Sequence, residues 1–186
     1  MQLLDAVDEA HVVAAFLRAE LESERFGDSV RASLRELGAD ERLVTEADLG
    51  DATANDRRRR VLAAYRGEYL GSRLDGLAWR RARLTRDEVL AIRYIAWDYW
   101  LEISDGTRLP AVAAVLFRGD GEDASWEDVD PGATPLIAVR ADASAPIVVV
   151  EGHVRLTAYA LFPERLPREL EILLGESESL RDWDLY

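Results

Sequence analysis

The sequence predicts a mixed α/β (α+β) fold: a helical amino-terminal region followed by a small mixed sheet with helices. Three observations carry that expectation. Apolar residues recur at helical spacing through the first third of the chain. From Leu136 onward the pattern becomes short, continuous β-branched runs of strand length, which suit strands buried on both faces. The order strand–strand–helix–strand in the carboxyl half then calls for a sheet with a helical connection. We expect residues 1–75 to form the helical region and residues 76–186 the α/β domain, packed as one unit.

Taken in order, residues 5–25 read as an amphipathic helix, with Val7, His11, Ala14, Ala15, Leu17, Arg18 and Leu21 at helical spacing and Gly27 closing the segment. Val30 to Leu37 forms a second helix stopped by Gly38, and Arg57 to Arg66 a third with Val61, Leu62 and Tyr65 as its stripe. Gly67, Gly71 and Gly76 mark a loop-rich connection, and Trp79–Leu84 is a short strand candidate. Thr85 and Glu88, three apart, form a capping box that opens an apolar and aromatic run from Val89 to Ile103, read as helical. Pro110 to Phe117 follows as another helix with Pro110 in its first turn. Leu136–Val139, Ile147–Val150 and Leu170–Gly175 are the strands, a helix through Leu156, Tyr159 and Ala160 lies between the last two, and a short helix or turn ends at Trp183 and Tyr186.

Composition narrows the chemistry. The chain has 186 residues, 36 Asp+Glu against 23 Lys+Arg and a formal charge of −13, and every one of those cations is arginine. Without lysine there is no Schiff base and no P-loop lysine. Without cysteine there is no thiolate nucleophile, disulfide or Cys-built metal centre. His11 and His153 are the only imidazoles and lie far apart in sequence, so no His-rich metal site is expected. The acidic excess argues against a nucleic-acid backbone as partner. No apolar run approaches the ~20 residues that span a bilayer. The start, Met1-Gln2-Leu3-Leu4-Asp5, has no basic segment of a secretory signal, so a soluble cytoplasmic protein is expected. Arginine in place of all lysine, with abundant Ala, Asp and Gly, also fits a GC-rich bacterial genome.

One stretch carries chemistry. Val148-Val149-Val150-Glu151-Gly152-His153-Val154-Arg155 is a buried strand, a glycine turn and a helix start. Gly152 lets the backbone turn sharply. The helix that follows offers unpaired N–H groups and a positive dipole end, an anion site by its nature. Arg155 in the first turn can clamp a phosphate or carboxylate. His153 supplies a titratable group and Glu151 a carboxylate, and Thr157 one turn further is an additional ligand-binding candidate. In open α/β sheets such a turn lies where ligands bind, beyond the carboxyl ends of strands. The residue types leave a second reading open: Glu151 and Arg155 as a local ion pair steadying the helix, with His153 as an exposed first-turn residue.

Pro146–Ala158 resembles the signature turn of the ParB/sulfiredoxin-like fold, in which a buried strand leads to an acidic residue, Gly, polar residues, then Arg and a small-residue helix. Glu-Gly-His-Val-Arg is also similar to the turn of free serine kinases of that fold and to a group of uncharacterised bacterial proteins. The resemblance spans about Leu136–Gly175. It implies that Gly152 forms the turn and that His153 and Arg155 touch the phosphates of a nucleotide such as ATP or ADP with Mg²⁺. The sulfiredoxin cysteine is absent, with His153 in its place, and Val154 stands where a second basic residue belongs. No DNA-reading helix-turn-helix follows the motif. The function expected is binding of a nucleotide or other phosphorylated small molecule at residues 151–155. If it is catalytic, the chemistry is phosphoryl transfer or nucleotide hydrolysis, with Glu151 and His153 as catalytic groups. The alternative is a non-catalytic ligand- or protein-binding module.

Other clusters read as structural. Asp98 and Glu102 share a helix face among aromatics if their run is helical, and are expected to face water or pair with Arg93 and Arg108. Asp120, Glu122, Asp123, Glu127, Asp128 and Asp130 crowd one loop without EF-hand spacing and read as a solvated acidic segment. Arg57-Arg58-Arg59-Arg60 would point in four directions about 100° apart on a helix, so they form no single basic stripe. His11 is expected to be packed or partly packed.

Overall fold

The computed structural model describes residues 1–70, 73–121, 126 and 134–186. Its elements run β1 (Gln2–Ala6), α1 (Glu9–Leu21), α2 (Gly27–Glu36), α3 (Arg42–Thr45), α4 (Ala52–Leu70), β2 (Ala78–Thr85), α5 (Arg86–Leu90), α6 (Asp98–Ile103), α7 (Pro110–Asp120), β3 (Leu136–Arg140), β4 (Val148–Glu151), α8 (His153–Leu161) and β5 (Glu169–Glu176), with 3₁₀ turns at Pro163–Arg165 and Glu178–Asp182. The fold is mixed α+β, eight helices and a five-stranded mixed sheet among the described residues. The chain divides into two units, Val7–Leu77 on one hand and Met1–Ala6 with Ala78–Tyr186 on the other. No helix among the described residues is long and apolar enough to cross a membrane.

In the helical unit, α1 packs on α2 and α4 through Val12, Val13, Phe16, Leu17 and Leu21. Asp51 caps α4, accepting from the amides of Thr53 at 2.8 Å and Ala54 at 3.0 Å, so the helix starts earlier than its apolar stripe suggests. The four consecutive arginines do separate tasks. Arg57 donates to the Gly38 carbonyl at 2.8 Å, while Arg59 and Arg60 lie 3.6 and 3.0 Å from Asp56. Arg58 is only 1% exposed and donates to the carbonyls of Leu43 at 2.7 Å and Asp48 at 3.1 Å, and to Asn55 Oδ1. It therefore fastens the 43–48 segment to α4. Glu20, also buried, accepts from Tyr65 Oη at 3.0 Å and Arg66 Nη2 at 2.8 Å. Burial, and then the Glu20 charge, push the Tyr65 pKa upward, so the phenol keeps its proton and remains a donor. His11 is half-buried.

The sheet of the other unit has spatial order β1-β2-β5-β3-β4. β5 pairs in parallel with β3 and antiparallel with β2; β1 and β4 pair antiparallel as the two edges. One sheet face, with Ala82, Leu84, Ala138, Val149, Ile172 and Leu174, packs against Val89, Tyr94, Phe117, Leu156 and Tyr159 from the helical connections. Two expectations are corrected. The first helix does not begin at residue 5 but at Glu9, because residues 5 and 6 belong to the edge strand β1, whose backbone β2 takes up through Gln2↔Arg83, Leu3↔Ala82 and Ala6↔Arg80. The run from Val89 to Ile103 is not one helix. The capping box at Thr85 forms as expected, but α5 ends at Leu90 and Arg93 bridges Val148 beside β4, its N–H donating to the Ile147 carbonyl at 2.8 Å. Sheet pairing overrides helical propensity there.

Two outcomes follow from these contacts. Arg58→Met should lower stability by about 2–4 kcal/mol in urea unfolding, because it leaves two carbonyls without their buried donor; an unchanged midpoint would refute the fastening role. In the β3–β4 turn, Asp142 Oδ1 accepts from Ser144 Oγ at 2.6 Å and from the amides of Ser144 at 2.7 Å and Ala145 at 3.0 Å. These bonds, the Ser144 hydroxyl first, hold the carboxyl at a pKa of about 2. The folded state thus prefers the charged form: the contribution is complete above the ordinary carboxylate range and is lost as pH falls toward 2. Carboxyl-carbon NMR should find that midpoint, and Ser144→Ala should raise it.

Candidate functional site

β4 delivers the candidate turn. Val148, Val149 and Val150 are buried, and Glu151, its side chain mostly buried at the strand end, stands opposite Ile137 of β3. Gly152 then adopts φ 97° and ψ 24°, the left-handed region, and α8 begins at His153. A β-carbon at 152 would fall inside van der Waals contact of Leu136 Cδ2, in a side chain itself packed in the core. Backbone conformation and packing both require glycine here. The N-cap residue of α8, Gly152, makes no side-chain cap hydrogen bond. The carboxyl end of α8 is capped by Arg118 of α7, which donates to the carbonyls of Ala160 at 3.2 Å and Leu161.

Glu151, Gly152 and Arg155 come together, and the two charged side chains engage each other. Arg155 Nη2 lies 2.5 Å from Glu151 Oε2, both side chains being only 12% and 11% exposed. The same guanidinium donates to the carbonyl of Thr134 through Nη1 and of Pro135 through Nη2, the latter at 3.5 Å. Arg155 therefore joins the end of β4 to the chain entering β3. The ion-pair reading of these two residues is thus realised in the geometry.

His153 and Thr157 turn away from that cluster. The His153 ring stacks against Trp100 at 4.9 Å and 19°, Trp100 stacks on Tyr94 at 4.5 Å and 26°, and Tyr94 and His153 are 6.2 Å apart at 16°. That last separation is too short for the indole to sit between them, so Trp100 lies across both rings like a cover. Nε2 of His153 is buried beneath it. Thr157 is fully buried; its Oγ1 donates to the His153 carbonyl at 2.9 Å and so accepts from Tyr94 Oη at 2.7 Å. Burial raises the Tyr94 pKa, which keeps that proton in place. The first turn of α8 is thereby bolted to the segment 94–100. Tyr94 and Trp100 belong to the aromatic run that the Thr85 capping box opens, and nothing local pairs them with residues more than fifty positions later.

The sheet does not supply the crevice expected at the turn. β4 is an edge strand antiparallel to β3, so its carboxyl end sits beside the amino end of β3 and not beside a parallel neighbour's carboxyl end. The left-handed Gly152 and the helix start are where the sequence places them, while the Arg155 fork is occupied from within the chain. For Mg²⁺, no group of three His, Asp or Glu side chains among the described residues comes together to hold a metal ion. Asp98 and Glu102 are exposed on α6, and Arg108 donates instead to the carbonyls of Tyr94 at 2.7 Å, Leu185 at 3.3 Å and Tyr186 at 2.7 Å. The carboxylates of the acidic 120–130 loop lie outside the described residues. No family model, curated protein or solved structure matches this chain.

Gly152→Ala should destabilise the protein by about 1–3 kcal/mol, from a strained left-handed residue and the displaced Leu136. Thermal and urea unfolding check this. A stability equal to wild type would mean that the turn tolerates a different backbone.

Proposed function

We propose that the chain binds a phosphorylated small molecule, a nucleotide in the first instance, at the amino end of α8, and that it acts as a binding module. The observation that carries this reading is the start of a nine-residue helix directly after a left-handed glycine, with Arg155 in its first turn. The first-turn amides of a helix have no acceptor within the helix and lie at the positive end of its dipole, which favours an anion. Arg155 stands one turn away, and the resemblance of residues 146–158 to the ParB/sulfiredoxin-like turn supports the same ligand class. In this reading the phosphate meets the amides of residues 153–155, and the Arg155 fork is shared with or drawn from Glu151. His153 and Thr157 hold the helix start in position through Trp100 and Tyr94.

Phosphoryl transfer or nucleotide hydrolysis receives less support. The carboxylate that would serve as base, Glu151, is already engaged by Arg155 at 2.5 Å. The His153 ring, the other catalytic candidate, lies under an indole.

The test is a titration of the ¹⁵N-labelled protein with ADP, ATP and pyrophosphate, with and without Mg²⁺. Amide resonances of His153, Val154 and Arg155 should move saturably, and Arg155→Gln should weaken the effect. At ligand 100-fold above Kd the stabilisation is about 2.7 kcal/mol, roughly 5–10 °C in Tm for a chain of this size. If none of these ligands moves those three amides, the phosphate reading is wrong.

A further inference from the structure

α4 presents one face to a concavity of about 580 Å³ in the helical unit, lined along that helix by Arg59, Leu62, Ala63, Arg66, Gly67 and Leu70. These positions recur every three or four residues, so they are one continuous stripe. The volume lies within the range of small-molecule sites. Its wall is apolar: Val13 from α1 and Leu74 beyond α4 join Leu62 and Leu70, all buried residues. Two small residues of the stripe, Ala63 and Gly67, stand one turn apart. A β-carbon at Gly67 would meet nothing within 4 Å, so the glycine is not there to avoid a clash. Glycine weakens a helix relative to alanine, and here no turn or close approach requires it. Its effect in this place is to leave the hollow open.

The rim is cationic within a chain of net charge −13. Arg59, Arg60 and Arg66 line it against the carboxylates of Glu9 and Asp75. Arg59 and Arg60 are more than half exposed, and their ion pairs, Arg59 with Asp56 at 3.6 Å and with Glu9 at 4.0 Å and Arg60 with Asp56 at 3.0 Å, are of the weak surface kind. Both guanidinium groups can therefore swing to an incoming anion. Arg66 is held more firmly: Glu20 fixes Nη2 at 2.8 Å, and the plane lies 4.4 Å from the centroids of the Phe26 and Tyr65 rings. It forms a rigid wall.

We propose that this concavity is a binding site for a small amphipathic anion, an organic carboxylate carried on an apolar body. The body fills the space over Ala63 and Gly67, and the carboxylate meets Arg59 and Arg60 at the rim. The site is separate from the turn at residues 151–155, and either can fail without the other.

Isothermal titration calorimetry of the full chain with decanoate, and with decylammonium as its cationic match, tests the proposal. Decanoate should bind saturably at one site, at least about tenfold tighter than decylammonium. Gly67→Leu, which fills the hollow, should abolish binding. The double variant Arg59→Gln/Arg60→Gln should weaken decanoate about tenfold with an unchanged unfolding midpoint. If Gly67→Leu does not fold, the double variant decides, since both of its positions are exposed. Absence of saturable heat, equal affinity for the two amphiphiles, or wild-type affinity in the folded variants overturns the proposal.

Discussion

The sheet unit is organised by one requirement: β5, last in sequence, must hydrogen-bond on both sides. It lies between β2, which it meets antiparallel from Ala78↔Glu176 to Thr85↔Glu169, and β3, which it meets in parallel from Leu136↔Ile172 to Arg140↔Glu176. A parallel partner cannot be reached by a tight turn. After β3 the chain therefore goes out to the edge as β4, leaves the sheet, crosses as α8 and returns to the gap. The reversal at Gly152, the burial of Leu156 and Tyr159, and the Arg118 cap at the far end of α8 are conditions for that crossing. The turn that resembles a phosphate cradle is thus also the corner on which the central strand depends.

On the proposed reading the turn would serve both ends, and the charges around it are disposed accordingly. In the proposed reading Arg155 stands near the incoming anion, and the chain already provides a carboxylate of its own, Glu151, together with two loop carbonyls. A ligand phosphate would compete with an internal anion at close range, in surroundings where both partners are nearly buried. Selectivity in such an arrangement comes from charge density: a dianionic phosphate outcompetes a single carboxylate more readily than another carboxylate does. The neighbouring imidazole serves in a different way, as part of a stack of rings that fixes the helix start.

Much of this was legible in the sequence because the signals are local. The Thr85–Glu88 capping box, Pro110 at a helix start and the β-branched runs at 136 and 147 each depend on a few adjacent residues. So did the Glu151–Arg155 pair, four apart across a helix start. What escaped depends on distant partners. Gln2–Ala6 has no alternation of exposed and buried residues and becomes a strand only because β2 offers an edge. The aromatic run breaks after Leu90 because Arg93 finds Val148. The hollow over Gly67 follows from the spacing of α1 and α4, which no local pattern encodes.

The way the helical unit is attached has a thermodynamic consequence. Val7–Leu77 is inserted between two strands that are paired with each other, so its ends emerge side by side from one ladder. Within the unit, the Glu9 carboxylate accepts from the Gly76 amide at 3.4 Å, which holds those ends together from the other side. While the insert is folded, β1 closes onto β2 across a short gap. Should the insert melt, the same pairing must close a floppy loop of about 70 residues, with an entropic penalty that grows as the logarithm of loop length. β1, exposed and short, is the strand least able to bear that penalty. Pairing of β1 with β2 thus costs less entropy while the insert is folded than when it is not.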